Sequence, residues 1–323
     1  MLAVLKRQWF IVLVAVLLLS TIVFYVYDKN KDNLPSKSVG GKDIVFSIAE
    51  TDVSADEFYD ELYTRYGMGA LYLFFERAVV EGSVEGSAVI TTKAELDAEG
   101  VIANFKEYYG TQYETYLIEA LKTLGYTKLE DLQSYFEYVY KRQTMMNNYL
   151  DSQMDTLFPG FQEVNSPRIV SHVLVTMADP NAPTAEETER FEAAKTAFAA
   201  GMSFEDMVIN HSNDTSNNTM KGLLGYVDKN TSFVPEFLAA TLALGEGEIS
   251  DWVKTEYGYH LIRVDSLSID RLKDEQAFYD ALLASDATLE ANVIWSKAEE
   301  LGVDFKGDEA LKAELLTYMG IEE

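Results

Sequence analysis

The chain has 323 residues, with 53 acidic against 26 basic side chains (formal net charge -27), three histidines and no cysteine. That length predicts two or three units able to bury a core, and the composition, 48% hydrophobic and 24% charged, is that of a folded chain. The acidity argues against nucleic-acid binding, which needs Lys/Arg clusters, and the missing cysteine excludes disulfides, thiol catalysis, cysteine-based metal sites and a cysteine-borne lipid.

Lys6-Arg7 precedes an apolar run from Trp9 to Tyr27, followed by Asp28-Lys29-Asn30-Lys31. Nineteen helical residues span roughly 28 Å, close to the hydrocarbon thickness of a bilayer. The run ends in the bulky Phe24-Tyr25-Val26-Tyr27, unlike a signal-peptidase site, and Trp9, Tyr25 and Tyr27 suit the two headgroup levels. Residues 1–31 therefore read as a cytoplasmic stub and an uncleaved transmembrane signal anchor through Trp9–Tyr27. A cleaved signal is the alternative. Residues 1–32 are net basic, so the acidity lies in the remainder, which is expected to be extracytoplasmic.

Residues 32–42, with Pro35 and Gly40-Gly41, read as a linker, and a strand is expected at 43–49. Residues 54–154 are helical in pattern. The Ser/Thr-x-x-Glu start signal recurs at Ser54/Glu57, Thr92/Glu95, Thr111/Glu114 and Thr127/Glu130, with Gly67, Gly110 and Gly125 as stops. Phe58, Leu62 and Tyr66 share a face of the first helix, and Leu132, Phe136, Val139 and Tyr140 a face of the last. After Pro167 the pattern becomes strand (168–177), helix (184–200, stopped by Gly201), helix (203–211), loop, helix (235–244), strand (256–264). That order suits one α+β domain. Residues 272–319 return to helix, with a break near Gly302.

Within 168–266 the residues resemble a family. Arg168-Ile-Val-Ser-His172-Val-Leu-Val is similar to the opening strand of parvulin-type peptidyl-prolyl isomerases, and Gly201-Met-Ser-Phe204 to their helix entry. His211-Ser-Asn-Asp214-Thr215, Lys221-Gly222-Leu-Leu224-Gly225-Tyr226, Phe233-Val-Pro-Glu-Phe237, Leu244-Gly-Glu-Gly247 and Val253-Lys-Thr-Glu-Tyr257-Gly258-Tyr-His260 follow in order. The turn reads Lys221-Gly222-Leu223 where the family often has Gly-Gly-Asp, and Tyr257 fills a position that is commonly small or polar. With its flanking helices and anchor, the chain resembles extracytoplasmic foldases of the PrsA/SurA type.

The resemblance implies an α+β protein: an N-terminal transmembrane helix, then a split α-helical chaperone-like domain (43–166 and 268–323) carrying an inserted parvulin-like α+β domain (167–267). It implies an Xaa-Pro isomerase site with His172, Asp214, Thr215 and His260 as catalytic candidates. Leu224, Phe233, Phe237 and Tyr257 are the substrate-binding candidates. The two histidines would pair under the floor of an apolar cup. A core role for either histidine, or a turn-forming role for Asp214, is the plainer alternative. The loop 178–187 holds no Lys or Arg, so phosphate-directed recognition is not expected. No nucleotide motif or metal-ligand spacing occurs, so neither cofactor nor metal is expected.

Thirteen tyrosines between Tyr59 and Tyr149 add a surface suited to unfolded chains, although the larger share is expected in the core. Expected partners are unfolded exported polypeptides and the bilayer, not nucleic acid; a homodimer or a secretion-machinery partner is left open. Two rivals also remain: a holdase with a silent parvulin domain, and a structural subunit of an envelope assembly.

Overall fold

The computed structural model describes residues 37–39, 42–48 and 51–321. The expected anchor, Trp9–Tyr27, lies outside the described residues. Among the described residues no helix is long and apolar enough to cross a membrane. The chain divides into two units, one up to Phe75 and one from Glu76 onward.

In the first unit, β1 (Lys37–Val39), β2 (Lys42–Ile48) and β3 (Thr51–Ser54) form an antiparallel sheet in that order. The strand expected at 43–49 is therefore present, but the stretch read as linker also contributes a strand, with Val39 paired to Lys42. A three-residue edge strand is too short to show an alternating pattern. Ser54 ends β3 and caps α1 (Ala55–Ser83): its Oγ accepts from Glu57 N, while Glu57 Oε2 accepts from Ser54 N. Gly67 acts as a kink and not as a stop, taking φ 56° and ψ -153° inside the one helix. Phe58, Leu62 and Tyr66, which share one face of this helix, are exposed. The described part of this unit buries only Ile44, Ser54 and Met68, because three short strands offer little surface for a helix face to cover.

The second unit continues with α2 (Ala88–Tyr109), α3 (Tyr113–Thr123), α4 (Asp131–Ser152) and α5 (Met154–Asn165). Ala98, Leu117, Leu121 and Leu132 form a buried cluster among α2, α3 and α4, with Phe105, Tyr126, Tyr135 and Phe136 packed on it. Three of the four expected helix starts are displaced. Ser87 Oγ accepts from Ile90 N, so α2 begins upstream and absorbs Thr92 into its interior. Gln112 precedes α3 with no side-chain cap. Asp131 Oδ2 takes the N–H groups of Thr127 and Lys128, a role the motif assigned to Thr127 and Glu130. The Thr-x-x-Glu pattern is also an ordinary i, i+3 spacing within a helix, so it does not mark a start unless the chain before it is extended.

The mixed α/β region holds β4 (Arg168–Thr176), α6 (Ala185–Ala199), α7 (Phe204–His211), β5 (Leu223–Val227), α8 (Pro235–Ala243), β6 (Val253–Thr255) and β7 (Gly258–Ser266). The sheet is antiparallel, in the order β5-β4-β7-β6. Strands β5 and β6 were not foreseen. Leu223–Val227 carries the turn-like Gly225 and sits at the sheet edge, and β6 has three residues. Helices cover both faces of the central pair, so β4 is buried almost throughout. Val173, Val175 and Leu261 face Phe191, Phe204 and Met207 of α6 and α7. The opposite face packs Val170 and Ile262 against Phe237 of α8.

Beyond the sheet lie α9 (Ile269–Leu272), α10 (Gln276–Ala284), α11 (Leu289–Glu300) and α12 (Glu309–Met319). The expected break falls at Gly302, with φ 77°. Phe278 of α10 is fully buried against Phe158 and Phe161 of α5 and Tyr226 of β5. Tyr279 Oη donates to Asp151 Oδ1 of α4 at 3.0 Å. Within the second unit Arg142 of α4 joins Glu76, which is buried, and Glu290 of α11, which is exposed.

Candidate active site

Side chains alternate across a strand, so His172 shares the α8-facing side of β4 with Val170, and His260 shares that side of β7 with Ile262. The register sets Leu174 opposite His260 and Ile262 opposite His172, which brings the two imidazoles together on a diagonal. Their Nδ1 atoms lie 3.4 Å apart and the rings stack within 22°. Both are buried, at 6% and 5% exposure. Phe237 closes over them, its ring edge-on to His172 (5.8 Å between centroids) and to His260 (5.1 Å). Phe233 meets Phe237 edge-on at 5.0 Å, and Leu224 packs on the same cluster. Pro235 opens α8 at its first turn, where a missing N–H costs nothing, and this sets Phe233 just before the helix and Phe237 within it.

The polar partners complete a directed chain. Asp214 Oδ2 lies 2.8 Å from His172 Nε2, and a carboxylate can only accept, so Nε2 carries the proton. In neutral His172 the Nδ1 is then an acceptor, so His260 donates through its Nδ1. His260 Nε2 therefore accepts from Thr255 Oγ1 at 2.8 Å. Thr255 Oγ1 in turn accepts from Tyr257 N. Asp214 is held from behind by Ser216 Oγ and N on Oδ1 and by Asn217 Nδ2 on Oδ2. Burial raises the Asp214 pKa, but the bonds from Ser216 and His172 outweigh it and hold the carboxyl below its usual range. Burial pushes His172 down against the opposing pull of Asp214. Burial and then the neighbouring His172 lower His260 to about 4. The pair is thus neutral at pH 7, beside an ionised carboxylate.

This has a stability consequence. Unfolded, His260 binds its proton near pH 6.5; folded, it does so only near 4. Between these values the unfolded state holds more protons, so stability is fully present above about pH 6.5 and falls as pH drops toward 4. Denaturant titrations of the full chain should show a loss of about 3 kcal/mol across that window, and a His260→Gln variant should lose much less. An equal slope in both proteins would contradict the assignment.

The structure thus brings together His172, His260, Asp214, Leu224, Phe233 and Phe237. Thr215 is exposed and stands outside the chain of hydrogen bonds. Tyr257 is 56% exposed at the β6–β7 turn and contributes its backbone N–H. Thr255, Ser216 and Asn217 were missed as site residues; a hydroxyl five residues before His260 on the same hairpin was the available signal for Thr255. Gly222 is required by contact. At φ 83°, a Cβ there would lie 2.5 Å from His172 O and 2.7 Å from Val208 Cγ2, and Gly222 O accepts from His172 N. Lys221, at the position where the family often has the first glycine, is left-handed at φ 58°. Lys221→Gly should therefore raise stability by about 0.5–1 kcal/mol, measurable as a shift in denaturant midpoint. An unchanged or lower midpoint would count against strain at this residue.

Among the described residues no group of three or more acidic or histidine side chains is placed to hold a metal. Apolar cup, paired neutral imidazoles and flanking carboxylate make a site that can bind and polarise without a covalent step.

Residues 172–266 match the Rotamase family, described as the PPIC-type PPIASE domain. The chain is a peptidyl-prolyl cis-trans isomerase of the parvulin type. Foldase protein PrsA 2 of Listeria innocua is 30% identical over 258 residues, covering 78% of this chain and 79% of its own. Foldase protein PrsA of Geobacillus sp. is 27% identical over 83% of this chain and 88% of its own. The crystal structure of PrsA from Bacillus subtilis aligns over 84% of this chain and 98% of its own, at 20% identity and a TM-score of 0.42. The chain belongs to the PrsA foldase family.

Proposed function

We propose that this chain is a membrane-anchored extracytoplasmic foldase that binds unfolded exported polypeptides and isomerises their Xaa-Pro bonds without a phosphate requirement. The observation that carries the catalytic part is the directed chain Thr255–His260–His172–Asp214 lying under the Phe237 ring. Rotation about a prolyl bond meets a barrier of about 18–20 kcal/mol, set by amide resonance. Lowering it needs only tighter binding of the twisted amide than of either planar isomer. Leu224, Phe233 and Phe237 would seat the proline ring, leaving the preceding carbonyl to turn near Asp214. Because the imidazoles are neutral and fully hydrogen-bonded, they fix the position of the carboxylate and of the cup floor and need not transfer a proton.

The anchor rests on the Trp9–Tyr27 run and the basic residues before it. Insertion of the sheet between two parts of one helical domain is supported by the packing of α10 on α4 and α5. Client contact is supported by a ladder of tyrosines at the α2–α3 corner. Tyr108 is 82% exposed and meets Tyr109 edge-on, and Tyr109 stacks on Tyr116 at 4.4 Å. Such rings offer broad, adaptable contact to apolar and proline-containing segments. The loop between β4 and α6 carries Asp179, and Glu187 stands in the first turn of α6; Lys254 reaches the loop only to bond Asn181 Oδ1, which is no cradle for a phosphate.

A protease-coupled assay on a short Xaa-Pro peptide, using the full chain in detergent, tests the reading. Acceleration over the uncatalysed rate is expected, with no preference for phosphoserine before proline. A rate equal to the background would remove the catalytic claim; suppression of client aggregation would then leave a holdase.

A further inference from the structure

The C-terminal helices hold a second cleft that the isomerase chemistry does not use. It lies among α11, the loop after it and the start of α12, with a volume of about 350 Å³. Two half-buried rings form its walls: Trp295 and Phe305, with centroids 6.3 Å apart and planes within 25°. The indole is oriented, since Trp295 Nε1 donates to Glu299 Oε1 at 2.9 Å. Glu299, Asp304 and Glu309 also line the cleft, and all three are exposed. Asp304 is bonded by Lys306 through both side chain and backbone, which holds its carboxyl below the usual range. Lys312 Nζ stands 5.9 Å over the Trp295 ring, so the protein already rests one of its own cations on that face.

The combination selects a ligand class. Near-parallel aromatic faces attract cations, and a planar, weakly hydrated guanidinium can stack on such a face while its N–H groups reach carboxylates. An ammonium makes poorer use of both features because it is more strongly hydrated. Three carboxylates against the one lining lysine disfavour an anion, and a purely apolar ligand would desolvate the acids without pairing them. We infer that this cleft is a docking site for an arginine side chain of an extended polypeptide. The guanidinium lies against Trp295 and Phe305 and bonds Glu299 and Glu309, taking the place of Lys312. This rests on the reading that the chain binds unfolded polypeptides and adds which segments it prefers. The net charge of -27 would draw such basic segments in.

The test uses the full chain in detergent with ¹⁵N-labelled tryptophan; its three indole signals are assigned with Trp295→Phe. An unstructured, proline-free Gly/Ser peptide bearing one arginine is titrated against the same peptide with citrulline or lysine. The arginine peptide should shift the Trp295 signal saturably, and citrulline should bind about tenfold more weakly. Glu299→Gln with Glu309→Gln should weaken arginine binding about fivefold or more, and Lys312→Gln should strengthen it. The inference fails if the arginine peptide gives no saturable shift, or if citrulline or lysine matches it. It also fails if the double variant binds unchanged. Because the probe lacks proline, the isomerase reading stands or falls separately: acceleration of an arginine-free Xaa-Pro peptide without an indole shift would remove this site alone.

Discussion

Replacing Phe237 by alanine is expected to lower stability by about 3–5 kcal/mol and to bring isomerisation of a short Xaa-Pro peptide down to the uncatalysed rate. The ring is only 4% exposed and touches Phe233, His172 and His260, so its removal leaves a cavity at the point where cup and histidine pair meet. A fall in activity through unfolding alone is separated by Phe237→Leu, which keeps most of the apolar volume. It should cost less stability, about 1–2 kcal/mol, yet still lose most activity, because a branched aliphatic cannot offer the ring edge and face. Denaturant midpoints and the protease-coupled assay on both variants are the measurements. Wild-type turnover in a folded Phe237→Leu protein would show that the ring only fills the core.

Gly258→Ala should be still more damaging to the fold. Gly258 opens β7 opposite Thr176 with φ 137°, and a Cβ there would lie 2.1 Å from Val175 O and 3.0 Å from Met177 N. These are backbone atoms of the central strand and its exit, so no side-chain rotation relieves the clash. The β4–β7 pairing that carries both histidines must open, at a cost expected to exceed about 3 kcal/mol. Gly201→Ala is the control: at φ 90° it meets nothing within 4 Å, so only backbone strain of about 1–2 kcal/mol is expected. The two should differ clearly in denaturant midpoint, and amide exchange in β4 and β7 should rise only for Gly258→Ala. Similar midpoints would mean that the sheet can relax around a methyl group at 258.

Much of the catalytic sheet was legible from residues alone. The strand at Arg168–Thr176, the helices at Ala185–Ala199 and Phe204–His211, and α8 starting at Pro235 carry local signals: an apolar run, capping serines and threonines, and an early proline. Strands β5 and β6 were hidden because the first contains Gly225 and the second is three residues long; their partners, not their own pattern, make them strands. Thr255 was missed for the same reason, since its bond to His260 depends on the hairpin register. Exposure of Phe58, Leu62 and Tyr66 was equally illegible, because periodicity shows that a helix has an apolar face but not whether anything covers it.

The sequence by itself determined what this protein lacks and which side chains it can bring to a site. With no cysteine there is no thiol chemistry; with three histidines, of which His172 and His260 lie in two separate apolar segments, any paired use had to join distant strands. Tertiary structure decided the rest. The antiparallel register sets the two rings 3.4 Å apart at Nδ1, burial keeps both neutral, with His172 adding to the effect at His260, and the carboxylate of Asp214 fixes which nitrogen bears each proton. Residue types are a property of the chain, whereas tautomer and protonation state depend on neighbours 42 and 88 positions away that only folding brings into contact.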